Sequence, residues 1–92
     1  MAYRLKVDEP SKIRETLERA FASPIGTVEF DVPPLTYQVL QFNVAETLEN
    51  QKYDVYSVDK VLGKQVTFNE LIMLLADDMR KQGGFVINEL ST

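Results

Sequence analysis

A chain of 92 residues with 10 Lys and Arg against 14 Asp and Glu, a net charge of −4 and neither cysteine nor histidine makes one domain of modest size, burying roughly 60–65% of its unfolded surface. Disulfides and the usual Cys- or His-based zinc and iron–sulfur sites are excluded, and the commonest general base is missing. The acidic balance argues against a nucleic-acid or membrane-surface role and leaves oligomerisation as the available support for a small core.

Tyr3 to Val7 alternates Tyr3, Leu5 and Val7 with Arg4 and Lys6, the period-two pattern of a strand with one buried face. The period then changes. Between Ser11 and Ala22 the apolar residues Ile13, Leu17, Ala20 and Phe21 fall at i, i+4, i+7 and i+8, a single helical stripe entered at Pro10–Ser11. Arg14 with Glu18 and Glu15 with Arg19 are opposite-charge pairs on its wet side. Ser23, Pro24 and Gly26 stop this helix, and Thr27 to Val32 resumes alternation with Val28, Phe30 and Val32 on one face.

Pro33–Pro34 is a firm break, because each ring removes a backbone donor and fixes φ. Leu35 to Val44 reads as a strand through Leu35, Tyr37 and Val39, followed by a register shift to Leu40, Phe42 and Val44 of the kind a bulge produces. The competing helical reading places Tyr37, Leu40, Val44 and Leu48 on a stripe; the Tyr, Val, Phe and Thr content favours the strand, with a turn over Ala45 to Asn50. Lys52 to Val58 is a further strand, and Asp59 to Lys64 reads as a turn around Gly63.

Thr67-Phe-Asn-Glu70 is a capping box that opens a second helix, with Arg80 and Lys81 in its last turn and Gly83 as its stop. Six consecutive apolar residues, Leu71 to Ala76, lie inside it, more than one face needs. On a helical wheel Phe68, Leu71, Ile72, Leu75 and Met79 form the core stripe with Ala76 at its margin. Met73 and Leu74 fall off that stripe, Leu74 between Glu70 and Asp78. Phe85, Val86 and Ile87 make a short apolar strand before a polar tail.

The expected fold class is α+β: two helices packed on a small antiparallel or mixed sheet of four to five strands, with the ferredoxin-like split β-α-β arrangement as the nearest architecture. Residues 1–88 form the domain and 89–92 the tail. No apolar N-terminal run resembles a signal peptide and no segment approaches the ~20 residues that span a bilayer, so the expected location is cytoplasmic with no membrane association.

Catalytic machinery is hard to assemble here. No nucleophile elbow, P-loop or dinucleotide fingerprint occurs, and Gly83–Gly84 follows a helix where a phosphate cradle would precede one. The adjacent acids Asp77 and Asp78 point about 100° apart on the helix and cannot jointly hold a metal; solvated charges are their default. The expectation is no enzyme, no cofactor and no metal, and the sequence identifies no small-molecule substrate. The favoured role is a non-catalytic protein-interaction domain that self-associates, as a homodimer, with Met73 and Leu74 as apolar anchors and Phe85, Val86 and Ile87 as an edge strand that adds to a neighbour. The alternative is single-stranded nucleic-acid binding, in which Tyr37, Tyr53 and Tyr56 stack bases and Arg4 and Lys6 track the backbone. A small enzyme or regulatory subunit using carboxylates comes third.

Overall fold

The computed structural model describes residues 2–22, 26–41, 50–58 and 60–83. In chain order they form β1 (Ala2–Lys6), a 3₁₀ turn (Pro10–Lys12) running into α1 (Ile13–Ala20), β2 (Thr27–Val32), β3 (Leu35–Gln41), β4 (Tyr53–Ser57), β5 (Val61–Val66) and α2 (Phe68–Gly83). The class is α+β, with a five-stranded mixed sheet and two helices. Phe85–Ile87 and the 89–92 tail lie outside the described residues, as do 42–49, which hold most of the turn expected over 45–50. Gly83, expected as the stop of α2, is instead the last residue of the helix.

Strand order in the sheet is β1-β2-β3-β4-β5, parallel between β1 and β2 and antiparallel thereafter. The split ferredoxin-like arrangement is therefore not what forms. Splitting requires a strand between the two parallel ones, whereas Ala2 to Lys6 pair directly with Thr27 to Asp31. β3 takes the opposite edge of β2 and leaves nothing between the parallel pair, and the hairpin links are short: Val32 pairs with Leu35 across Pro33–Pro34, joined by a cis peptide bond, and Ser57 N–H donates to Lys60 C=O at 3.0 Å across the β4–β5 turn. Neither link is long enough to skip a strand.

Two further expectations are corrected. No bulge interrupts β3, whose register is unbroken against both β2 and β4. Leu40 is not a displaced core residue but a half-buried one on the opposite face, paired with Thr27 and Asp54. The irregularity lies between β4 and β5, where the pairing shifts on either side of Val55. The turn expected over Asp59–Lys64 is instead mostly strand β5. Gly63 serves there as a gap for α2, because a Cβ at this position would come within 2.6 Å of Leu74 Cδ1. Gln65 takes a positive φ of 52° and its N–H donates to Asp54 Oδ1 at 2.8 Å.

Both helices cover the same face of the sheet. Val28, Phe30, Val32, Tyr37, Val39, Tyr53 and Val55 point into the core, where they meet Ile13, Leu17 and Phe21 from the α1 side and Phe68, Leu71, Ile72, Leu75, Ala76 and Met79 from α2. The stripe read from the wheel is the buried stripe. Tyr53 is gripped edge-on by Phe21 and Phe68, with ring centroids 5.0 and 5.9 Å away. Arg14 ties the helices together: its guanidinium lies 5.8 Å from the Phe68 centroid and donates to Asn69 Oδ1 at 3.2 Å. The capping box forms as read, with Thr67 N–H donating to Glu70 Oε1 at 2.9 Å and Glu70 N–H to Thr67 Oγ1 at 3.1 Å.

The buried Tyr53 hydroxyl has no hydrogen-bond partner among the described residues, and burial pushes its pKa up to about 12. A desolvated hydroxyl with no partner is a net cost, so Tyr53→Phe is expected to leave unfolding free energy unchanged or raised by about 0.5–1 kcal/mol in urea titration. The sign in alkali agrees. A phenol whose folded-state pKa exceeds its unfolded value of about 10 leaves stability intact below pH 10 and erodes it as pH rises towards the folded value, so Tyr53→Phe is also expected to lose less stability than wild type between about pH 10 and 12.

Candidate binding surfaces

With both helices on one side, the other side of the sheet has no covering layer among the described residues. Cross-strand register lays out one row over all five strands: Arg4, Glu29, Gln38, Tyr56, Val61. On one flank lie Lys6, Asp31 and Thr36; on the other, Thr27, Leu40 and Asp54. The two halves of this face differ in chemistry.

The β1–β2 half is a charged network. The Arg4 guanidinium donates to Glu29 Oε1 and, at 3.0 Å, to Asp31 Oδ2, while the Thr36 hydroxyl donates to Asp31 Oδ1 at 2.8 Å. Thr36 and Arg4 together hold the Asp31 carboxyl below the usual carboxylate range. Across β3–β5 the row becomes Gln38, Tyr56 and Val61, with Leu40 beside it. Tyr56 and Leu40 are half-buried and Val61 is 52% exposed. Asp54, the acid on this half, already accepts from Gln65 N–H.

The sheet edges are poorly suited to pairing with another strand. β5 carries Lys64, the positive-φ Gln65 and two register shifts, and β1 carries Arg4 and Lys6, the features that blunt an exposed edge. The edge-strand candidates Phe85, Val86 and Ile87 lie outside the described residues.

Of the two helix anchors read from the sequence, one is well exposed and the other half-buried. Met73 is 60% exposed on the outer side of α2. Leu74 is half-buried: α2 follows β5 through the single residue Thr67, so its Leu74 side lies over that strand and fills the space Gly63 leaves open. The same tilt corrects Asp78. Asp77 is solvated and pairs with Arg80 and Lys81 at 3.4 and 3.1 Å, but Asp78 is only 6% exposed. Its Oδ2 accepts the Tyr37 hydroxyl at 2.6 Å and its Oδ1 lies 3.4 Å from Lys60 Nζ. Among the described residues no three acidic groups converge on a point that could hold a metal ion.

Tyr37 and Tyr53, two of the three tyrosines expected as base-stacking platforms, are 1% and 0% exposed under the helices and cannot stack a ligand. Alternation places them on the same side as Val39 and Val55, which is the core side. Tyr56 does share the open face with Arg4 and Lys6, but β2 and β3 stand between its strand and β1, and Arg4 is bound to two carboxylates. Lys60 and Tyr37, which nothing in the sequence connects, meet at Asp78 in a cleft at one end of the sheet. The one signal linking them is the off-stripe acid itself, and it becomes legible only with the position of β5.

Among the described residues no helix is long and apolar enough to cross a membrane. Compared with known protein families, characterised proteins and solved structures, the chain matches none.

Proposed function

We propose that the protein is a non-catalytic interaction domain that pairs with a second copy of itself through the β3–β5 half of its open sheet face, in a reducing compartment such as the cytoplasm. The observation that supports this is the Gln38–Tyr56–Val61 row with Leu40 beside it: an aromatic and two aliphatic side chains side by side on a layer the helices leave bare. An amphipathic aromatic at the centre of an uncharged row, with the Arg4–Glu29–Asp31 network at one margin and Asp54 at another, has the anatomy of an interface core and its rim. A copy is the occupant that matches on both counts, because two such strips present apolar to apolar while the Arg4–Glu29–Asp31 networks, each with a net charge of −1, stay at the solvated periphery.

Size sets the strength. The three strands β3 to β5, about 4.8 Å apart and some six residues long, present roughly 300 Å² in projection, well below the ~800 Å² per partner of a standard stable complex. The dimer is therefore of the weak, exchanging kind, with a dissociation constant on the order of micromolar or above.

Sedimentation velocity over about 10–200 µM tests it. Wild type is expected to show a weight-average sedimentation coefficient that rises with concentration, and Tyr56→Glu to abolish the rise by placing a charge at the centre of the strip. Met73→Glu, on the far side of the molecule, is expected to leave it intact. A wild type that stays monomeric throughout overturns self-association; loss on Met73→Glu alone moves the interface to α2.

A further inference from the structure

The end of the sheet at which β2 turns into β3 and β4 into β5 holds a cleft of about 330 Å³, with Leu35, Thr36, Ser57, Val58 and Lys60 along its sides and Asp78 of α2 at its base. We propose that this cleft binds a small zwitterion of the α-amino-acid type, its ammonium on Asp78, its carboxylate on Lys60 and its apolar side chain against Leu35 and Val58.

The asymmetry of Asp78 carries the argument. Its side chain is 7% exposed, so its charge needs partners. One oxygen, Oδ2, is committed to Tyr37 at 2.6 Å, and Tyr37 is itself fixed by burial and by the Phe30 ring 5.5 Å away. The other, Oδ1, has among the described residues only Lys60 at 3.4 Å, well beyond the 2.7–2.9 Å of a charge-assisted hydrogen bond. The Lys60 side chain is 50% exposed, so its ammonium can move outward at little cost while its backbone stays pinned by the Ser57 N–H. A buried carboxylate and a half-exposed ammonium thus face each other at the cleft in a loose ion pair that a ligand could enter.

The same pair sorts the ligands that could enter. A simple anion on Lys60 is brought against the Asp78 carboxylate, and a simple cation on Asp78 is brought against the Lys60 ammonium. A ligand carrying both charges a few ångströms apart satisfies each with its complement and leaves neither protein charge unpaired. The volume lies at the small end of ligand sites. Val58, 82% exposed at the rim, gains from being covered, which favours an aliphatic amino acid over glycine.

The probe is L-leucine, titrated into ¹⁵N-labelled protein, with isobutylamine and isovalerate as single-charge arms. Saturable shifts of the Thr36, Ser57 and Val58 amides are expected at millimolar leucine, with each single-charge compound weaker by at least about fivefold. Lys60→Gln, a change at a half-exposed turn residue, is expected to weaken leucine by a similar factor with the rest of the spectrum unmoved. Absence of saturable shifts at about 20 mM leucine, equal binding of isobutylamine, or leucine affinity unchanged in Lys60→Gln each overturns the proposal. The ligand arms use wild-type protein, so they decide the matter whether or not the variant folds. Repeating the titration with Tyr56→Glu separates this cleft from the self-association surface.

Discussion

Replacing Asp78 with alanine is expected to lower the unfolding free energy by about 2–4 kcal/mol, a large part of the roughly 5–14 kcal/mol available to a domain of this length. The substitution removes the acceptor of the Tyr37 hydroxyl, which belongs to a residue only 1% exposed, and an unpaired buried hydroxyl costs about 1–3 kcal/mol. It also removes the bond that fastens the C-terminal half of α2 to β3 and, through Lys60, to the β4–β5 turn. Tyr37→Phe should cost less, about 1.5–3 kcal/mol for a hydrogen bond to a charged group, since Lys60 still faces the carboxylate. Asp77→Ala, one residue away and solvated with only surface ion pairs, should fall within about 0.5 kcal/mol of wild type. Urea titration of the three variants and of the Tyr37→Phe/Asp78→Ala pair checks the assignment; singles that simply add would show that the two side chains are not coupled.

Leu75→Ala is expected to cost about 2–5 kcal/mol and Met73→Ala less than about 0.5, although the two stand two residues apart in the same apolar run. Leu75 is fully buried against the sheet, so truncation removes most of its apolar contact and leaves a cavity that its neighbours, Leu71, Ile72 and Met79, are too well packed to refill. Met73 projects outward with 60% of its surface in water. The denaturation midpoints of the two variants measure the difference. If Met73→Ala shifts the midpoint as far as Leu75→Ala, Met73 is covered in solution and the self-association surface includes α2.

Local signals carry the periodic elements and fail where tertiary geometry decides. The capping box at Thr67–Glu70, the Phe68–Met79 stripe and the Val28–Phe30–Val32 face are properties of short windows, and each forms where its spacing places it. Gly63 reads as a turn because glycine punctuates chains; its reason for being there is Leu74, eleven positions on, which a local reading cannot supply. Leu40 reads as core after a bulge because it is leucine, yet the unbroken pairing with Thr27 and Asp54 puts it on the open face. That misreading hides the open-face strip, since Leu40, Tyr56 and Val61 become neighbours only when the order of β3, β4 and β5 is known. The helical wheel assigns Asp78 to water, and only the lean of α2 over β5 reveals that it faces Tyr37 and Lys60 instead.

The strand order, which repeats the order of the chain, bears on how this molecule is assembled in time. Every strand bonds to its immediate predecessor and successor in sequence, and α2 leaves directly from the last of them. From β2 onward no pairing has to wait for a distant segment to diffuse into place, so loop-closure entropy stays low at each step and the sheet can zip outward from either the proline turn or the lysine turn. Only the β1–α1–β2 crossover asks for a longer excursion, which makes it the slowest-paired end of the sheet and the β2–β5 meander its natural nucleus.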